Sequence, residues 1–306
     1  MSVSFRFDAI RHELGENPLE VASLFPGSED LIDRTGIPVV HETTRSALAL
    51  AAASAAKTLE VVGTSPIGAL ILVTQSSDSL VPGLAQRLQH ELSLDPNVLA
   101  FDVSQGCSGF VQAVTLASRL APDFGDVLVV TVDTYRSKLR GGDRSTRALF
   151  SDAAASVVVS ADRPTHRIVA EQHWSEGGGA NLLRQPIIAD HVQDLEMDGR
   201  EVFLFTRRVV PKLLHRVAEL AARTLKDFDV VLSHQASGLV LSALQRDLAD
   251  FDVKLPRNLQ KYGNTVSSSI PILLEEEWDA CRTRSAILVG FGVGLSAAAI
   301  ALEPVK

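Results

Sequence analysis

Short runs of Val, Ile, Leu and Ala recur along the chain at 69–75, 98–103, 127–133, 156–161, 229–235 and 285–292, as in "VLVVTVD" and "DVVLSHQ". They are continuous rather than alternating, which predicts strands covered on both faces. Between them, 44–61, 83–92, 108–121, 200–225, 238–250 and 265–279 carry apolar residues at spacings of three and four, such as Phe110, Val114, Ala117 and Ala121. That period predicts helices with one apolar face. Strand alternating with helix predicts an α/β fold built in layers.

The pattern occurs twice. In the first half a strand ending "VTQSSD" leads through a helix to Cys107, 33 residues after Thr74; in the second, a strand ending "LSHQASG" leads through a helix to Asn264, 30 residues after His234. The halves also close alike, on "ALFSDAAASVVVSAD" and "LVGFGVGLSAAAIALE". Two similar domains are expected, 1–163 and 164–306, with the site where they meet.

Composition narrows the function. The 46% of hydrophobic residues are dispersed in short runs, none near the roughly 18 uninterrupted apolar residues of a membrane span. The N-terminus lacks the basic start and small-residue cleavage site of a signal peptide, so a cytoplasmic location is expected. A net charge of -8 argues against nucleic acid and anionic membranes as partners. Against that background "RRVVPKLLHR" (Arg207, Arg208, Lys212, Arg216) reads as a solvated helix face or, alternatively, a dock for an acidic partner. The two cysteines, Cys107 and Cys281, form neither a disulfide framework nor a zinc motif. Neither a metal nor a cofactor is expected.

Cys107 sits between Gly106, Ser108 and Gly109 where a strand gives way to a helix. Backbone N–H groups at that helix start would lower its pKa and favour a nucleophilic thiolate; the alternative is a small buried core residue. His234 falls at a strand end, where α/β folds bind ligands, or else is a satisfied core histidine. Asn264 follows Gly263 just before a helix, as a functional amide or a plain turn residue. Together they form a set that recurs in thioester and amide chemistry, and they fall at matching points of the two halves.

"DVSQGCSGF", "SHQASG", "YGNTVSSSIP", "MDGREVF", "GFGVGLS" and "RTGI" occur in an order and spacing that resembles the β-ketoacyl-acyl-carrier-protein synthase III group of the thiolase superfamily. The resemblance covers nearly the whole chain. It implies a duplicated five-layered αβαβα fold, a homodimer, and Cys107, His234 and Asn264 at the base of a tunnel between the halves. Cys107 would take an acyl group from an acyl-CoA or acyl-carrier-protein thioester, with the oxyanion held by the N–H groups of Cys107 and Val293. His234 and Asn264 would hold the carbonyl of a malonyl-type thioester during loss of carbon dioxide. A β-ketoacyl product of specialised fatty-acid or secondary metabolism would result. Arg34, Phe203, Ser237 and Phe291 would contact substrate.

The departures from the family pattern matter. Asp30 stands where members commonly have tryptophan, and Ser237, Gly238 and Leu239 replace an Asn–x–Arg pattern; "GREVFL" stands for "GNEVFK". Contacts to phosphopantetheine and carrier are therefore altered, leaving the basic cluster as a possible dock for an acidic carrier protein. Val81, before Pro82, replaces a phenylalanine that in some members crosses the dimer to shorten the primer pocket. Acyl chains of medium length or branched shape are expected to be accepted better than acetyl. The alternatives are an acyltransferase passing the acyl group to an alcohol, amine or carrier thiol without decarboxylation, and a silent subunit of a heterodimer.

Overall fold

The structure is a computed structural model that describes residues 3–27, 29–63 and 65–305. Its centre is a nine-stranded sheet of β1 (Val3–Leu14), β2 (Ile67–Val73), β3 (Leu99–Val103), β4 (Asp126–Asp133), β5 (Ala153–Ser160), β6 (His166–Ser175), β7 (Val230–Ser233), β8 (Ala286–Gly292) and β9 (Ser296–Pro304), in the order β7-β8-β9-β6-β1-β5-β4-β2-β3. β2 runs parallel to β3 and β4, and β7 parallel to β8; the other pairs are antiparallel. β1 joins the halves, pairing with β5 along most of its length and with β6 through Val3, Ser4 and Phe5. The strands of residues 3–160 thus lie on one side of the sheet and those of 166–304 on the other.

Six helices complete the layers: α1 (Ala47–Val62), α2 (Leu84–Glu91), α3 (Gly109–Phe124), α4 (Gly199–Leu220), α5 (Gly238–Asp247) and α6 (Ser269–Cys281). α3 and α6 form the middle layer, where Phe110, Val114 and Ala117 of one and Ile270, Leu273 and Trp278 of the other join Ile71 and Val129 from the first half and Leu232 and Leu288 from the second. α1 and α2 cover the outer face of the first half, α4 and α5 that of the second. The result is the αβαβα arrangement expected.

Local sequence explains the main pieces. α1 starts at Ser46, whose hydroxyl accepts the Ala49 N–H at 3.2 Å, and stops at Gly63 in a left-handed conformation (φ 74°). Its alanine-rich buried face lets it lie close on β5, and the buried hydroxyls of Ser54 and Thr58 both bond Ser156 there, at 2.9 and 2.7 Å. α3 packs its first turn on β2, since a methyl group on Gly109 would lie 2.4 Å from Val73 Cγ1.

Two elements differ from the sequence expectation. β1 mixes charges with apolar residues and reads poorly as a buried strand; it forms because Phe5, Phe7 and Ile10 turn inward while its polar residues look outward. α4 ends at Leu220, where a turn leads to Thr224, which caps the next short turn reciprocally with Asp227. No helix of the described residues is long and apolar enough to cross a membrane.

Candidate active site

Cys107 is the middle residue of a one-turn 3-10 segment, Gly106–Ser108, that follows β3 and runs straight into α3. Gly106 opens the turn at φ 50°, a left-handed conformation, and a methyl there would lie 2.6 Å from Gln75 Oε1 and 2.7 Å from Val293 Cγ1. Both constraints require glycine. The end of β8 is equally bare: a methyl on Gly290 would meet the Cys107 carbonyl oxygen at 2.6 Å, and one on Gly292 would meet Cys107 Sγ at 3.1 Å. Two glycines thus make room for the sulfur and bring Val293, the next residue, beside the turn.

Cys107 is 5% exposed. Burial pushes its thiol well above the ordinary cysteine range, and the Asp133 carboxylate pushes it further, while the residue's own backbone N–H pulls it down. The expected lowering at a helix start is therefore not found, because desolvation of the anion outweighs the aligned N–H groups. The resting sulfur is a neutral thiol.

His234 directly follows β7, and its N–H bonds the Val289 carbonyl of β8 at 2.9 Å. Its Nδ1 lies 2.6 Å from Ser269 Oγ at the start of α6, and its ring stands edge-on to Phe291 with centroids 5.5 Å apart. Burial lowers its pKa to about 3, so the imidazole is neutral. Asn264 is fixed at every polar atom of its backbone and amide oxygen. Its N–H bonds Leu149 O at 3.0 Å and its carbonyl accepts Ser151 N–H at 2.8 Å, both from the first half. Its Oδ1 accepts the Val266 N–H at 3.0 Å, which identifies the other amide atom as Nδ2; that nitrogen donates one proton to Ala236 O at 3.1 Å and has a second to offer.

Cys107, His234 and Asn264 all line one cavity of about 450 Å³. Arg34, Phe203, Ser237 and Phe291 line it too, as do Phe150, Leu183, Met197 and Arg200, which sequence reasoning did not single out. Arg34 pairs with Asp30 at 3.1 Å, and Ser237 caps α5 by accepting the Val240 N–H at 3.3 Å. Gly238 allows the short helix Glu29–Thr35 to close over this end, since a methyl there would lie 3.2 Å from Gly36 Cα. Val81 is not on this wall: it is 87% exposed, with Leu80, on the loop before α2. Cys107 belongs to a buried cluster with Tyr135, Leu139, Phe150, Leu195 and Val266, and Tyr135 donates to Gln75 Oε1 at 2.6 Å.

Several features depart from the sequence reading. The basic cluster on α4 is largely neutralised in place: Arg207 binds Asp247, Arg208 holds both oxygens of Glu176, and Arg216 bonds Glu219 at 3.2 Å. A solvated, paired helix face is the better description. Asn264 is not the counterpart of Cys107 either. The matching turn is Val266–Ser268, which runs into α6, so the residue in the place of Cys107 is Ser267. Ser267 bonds the fully buried Asp133 at the end of β4 through its hydroxyl at 2.6 Å and its N–H at 3.3 Å. Ser267, Ser269 and Asp133 escaped sequence reasoning because a serine run before a helix reads as ordinary capping.

Comparison with known proteins gives one answer. Residues 101–178 match the family model described as 3-oxoacyl-[acyl-carrier-protein] synthase III, and residues 219–303 match that family's C-terminal model. The chain is 32% identical over 287 residues to the β-ketoacyl-[acyl-carrier-protein] synthase III of Lactococcus lactis, covering 88% of each. The 3-oxoacyl-(acyl carrier protein) synthase III of Pseudomonas aeruginosa superposes with a TM-score of 0.89 at 28% identity over 99% of both chains. The priming β-ketosynthase of the R1128 polyketide pathway does so with a TM-score of 0.87 at 25% identity, over 99% of this chain and 97% of that one.

Proposed function

Because the chain belongs to the 3-oxoacyl-[acyl-carrier-protein] synthase III family, we propose that it joins an acyl group to a malonyl-type thioester by decarboxylative condensation, with Cys107, His234 and Asn264 as its catalytic residues. The observation that carries the residue assignment is the single cavity on whose wall all three stand, with an Asn264 amide proton left to donate.

In the first step Cys107 Sγ attacks the acyl thioester carbonyl. The donor's C–S bond breaks, its thiol leaves with the proton that Cys107 gives up, and the acyl group remains on sulfur. Backbone N–H groups of Cys107 and Val293 face the developing oxyanion. In the second step the malonyl-type thioester enters the vacated tunnel and loses carbon dioxide. The electron pair of the broken C–C bond becomes an enolate, held at its oxygen by Asn264 and His234. That carbanion attacks the acyl carbonyl, the bond to sulfur breaks, and one proton taken up from solvent restores the thiol. Phe291 closes the decarboxylating end against water.

The acyl donor is proposed to be a CoA or carrier-protein thioester, reaching the cavity past Arg34 and Arg200. The proposed working form is a homodimer in the cytoplasm. The second edge of the sheet supports the dimer: beyond β7 the segment around Lys254 bonds Val231 and Asp229, whereas β3 has no further strand among the described residues, and the loop with the exposed Leu80 and Val81 leads into Leu84 and Ala85, whose N–H groups bond Asp102 of β3. In such a dimer Val81 would act on the partner's acyl pocket, in favour of medium or branched chains.

Intact-protein mass spectrometry with a panel of acyl-CoA and acyl-carrier thioesters tests the reading. A mass gain on Cys107 that disappears with release of carbon dioxide when a malonyl thioester is added supports condensation. Transfer to an alcohol or amine without carbon dioxide, or no mass gain from any donor, rejects it. Loading by acetyl far faster than by octanoyl rejects the chain-length proposal alone.

A further inference from the structure

A neutral imidazole carries a single N–H, and what His234 can do in the cavity depends on which nitrogen holds it. If the proton is on Nε2, the ring donates; if it is on Nδ1, the ring offers only a lone pair. The choice is made at Nδ1, whose hydrogen-bonding partner is Ser269 Oγ at 2.6 Å.

Ser269 has one hydroxyl proton and two acceptors in reach, His234 Nδ1 at 2.6 Å and Val266 O at 3.1 Å. Three observations assign the proton. The 2.6 Å separation lies in the range of an O–H donor and below the roughly 2.7–3.2 Å of an N–H donor to oxygen. The 3.1 Å contact is longer than the roughly 2.5–3.0 Å of a good O–H···O bond. Val266 O already accepts the Ser269 backbone N–H, which closes the 3-10 turn, so it does not need the hydroxyl.

We propose that the Ser269 hydroxyl donates to His234 Nδ1 and so fixes the imidazole proton on Nε2, making Ser269 the positioning residue that turns His234 into a hydrogen-bond donor. Its setting is rigid. Ser269 begins α6 and is 2% exposed, and the preceding turn is anchored through Ser267 to Asp133. Among the described residues no carboxylate bonds the ring, so the group that orients His234 is a neutral hydroxyl, which sets the tautomer without raising the ring's basicity. On the condensing reading, on which only this consequence rests, His234 then shares the enolate oxygen with Asn264 as a second N–H donor and does not act as a base.

The test reads the tautomer directly. Long-range 15N–1H spectra of the histidine rings, with His234 assigned through His234→Asn, should show the Nε2–H form in the native protein at pH 7. Ser269→Ala should lose that single form, because a water in the hydroxyl's place donates and accepts equally well, and Ser269→Thr should restore it. In parallel, release of carbon dioxide from a malonyl thioester should fall on the order of ten- to a hundredfold in Ser269→Ala, recover in Ser269→Thr, and leave loading of Cys107 unchanged. An Nδ1–H form in the native protein overturns the proposal without any variant, and so does an unaltered Nε2–H form in a folded Ser269→Ala protein. A Ser269-dependent Nε2–H form in a protein that releases no carbon dioxide from any malonyl thioester upholds the proposal and rejects the condensing reading instead.

Discussion

Gly106–Ser108 and Val266–Ser268 are one turn built twice. Each is a single turn of 3-10 helix leading into a long helix, and each opens on a left-handed residue, Gly106 at φ 50° and Val266 at φ 52°. Cys107 follows Thr74 by 33 positions, and Ser267 follows His234 by the same 33. Each turn rests on a strand end of the other half. The first meets bare backbone at Gly290 and Gly292; the second meets the Asp133 carboxylate, which grips Ser267. The difference lies in what the partner strand supplies. Glycine leaves the sulfur of the first turn beside an open cavity, while aspartate ties down the second, so that its neighbours Asn264 and Ser269 stand still. The two turns are alike in form and differ in setting: one leaves its middle residue beside the cavity, and the other has its middle residue held by a buried carboxylate.

The largest expected effect separates the two directly. Cys107→Ala should form no acyl adduct and lose condensation by on the order of 10⁴-fold or more, yet still release carbon dioxide from a malonyl thioester, because the groups proposed to hold that carbonyl belong to the second half. Adduct formation is read by intact mass and carbon dioxide by trapping. Loss of both would show that the halves do not divide the work.

Asn264→Ala is the converse. Removing one donor to an oxyanion costs roughly 2.7–4 kcal/mol of barrier, or about a hundred- to a thousandfold in carbon dioxide release. Loading of Cys107 should be unchanged. Because the Asn264 amide also donates to Ala236 O and accepts the Val266 N–H, bonds that alanine loses, the melting temperature should be followed in the same samples. Equal loss of both steps in a folded variant would contradict the assignment.

The sequence made the layers legible through uninterrupted Val-rich runs, and it singled out Cys107, His234 and Asn264, which share one cavity wall, because strand ends and glycine-flanked turns leave a mark in the residue order. Three things were not legible. The register of the duplication slipped by three residues, since Asn264 looks more like a functional counterpart of Cys107 than Ser267 does. The thiol shift had the wrong sign, because a helix start is visible in sequence and the depth of burial is not. Ser269 and Asp133 act through other side chains, and only coordinates bring an aspartate at the end of β4 against a serine 134 positions away.

A second pair of substitutions asks whether the left-handed opening residue is equivalent in the two turns. Gly106→Ala places a methyl against Gln75 and Val293 in a strained conformation and should destabilise by about 1–3 kcal/mol, with slower loading of Cys107. Val266 bears the same φ with a β-branched side chain, held by full burial beside Cys107, Tyr135 and Phe150. In Val266→Gly the relief of about 1–3 kcal/mol of strain is set against the loss of about 1.5–3 kcal/mol of burial, so chemical denaturation should find it near neutral. A strongly destabilised Val266→Gly would mean that packing alone, and not strain, distinguishes the turns.

The smallest effect tests whether the two turns feel each other. Asp133 accepts from Gln75 N–H at 2.9 Å and from Ser267 N–H and hydroxyl, and its charge also raises the Cys107 thiol. Asp133→Asn keeps the shape but brings an NH2 group where donors converge, which should cost about 1–3 kcal/mol through an unsatisfied N–H. That cost depends on pH with a defined sign. Burial raises the Asp133 pKa in the folded protein, so the native chain holds its proton more tightly than the unfolded one and loses stability as pH rises above the ordinary aspartate range. The asparagine variant has no such loss. Its deficit against the native protein should therefore be larger at pH 4 than at pH 8. With the carboxylate gone, Cys107 should also titrate lower, and its alkylation by iodoacetamide at pH 8 should quicken a few-fold, since one repulsive charge at effective protein dielectric is worth about 1 kcal/mol or less when it is not in contact. Cys281, which is also buried, serves as the control within the same molecule: Asp133 is not among the charges that shift it, so its alkylation should not respond. Equal acceleration at both cysteines would trace the change to general loosening, and no acceleration at Cys107 would show that the second turn's anchor leaves the sulfur of the first untouched.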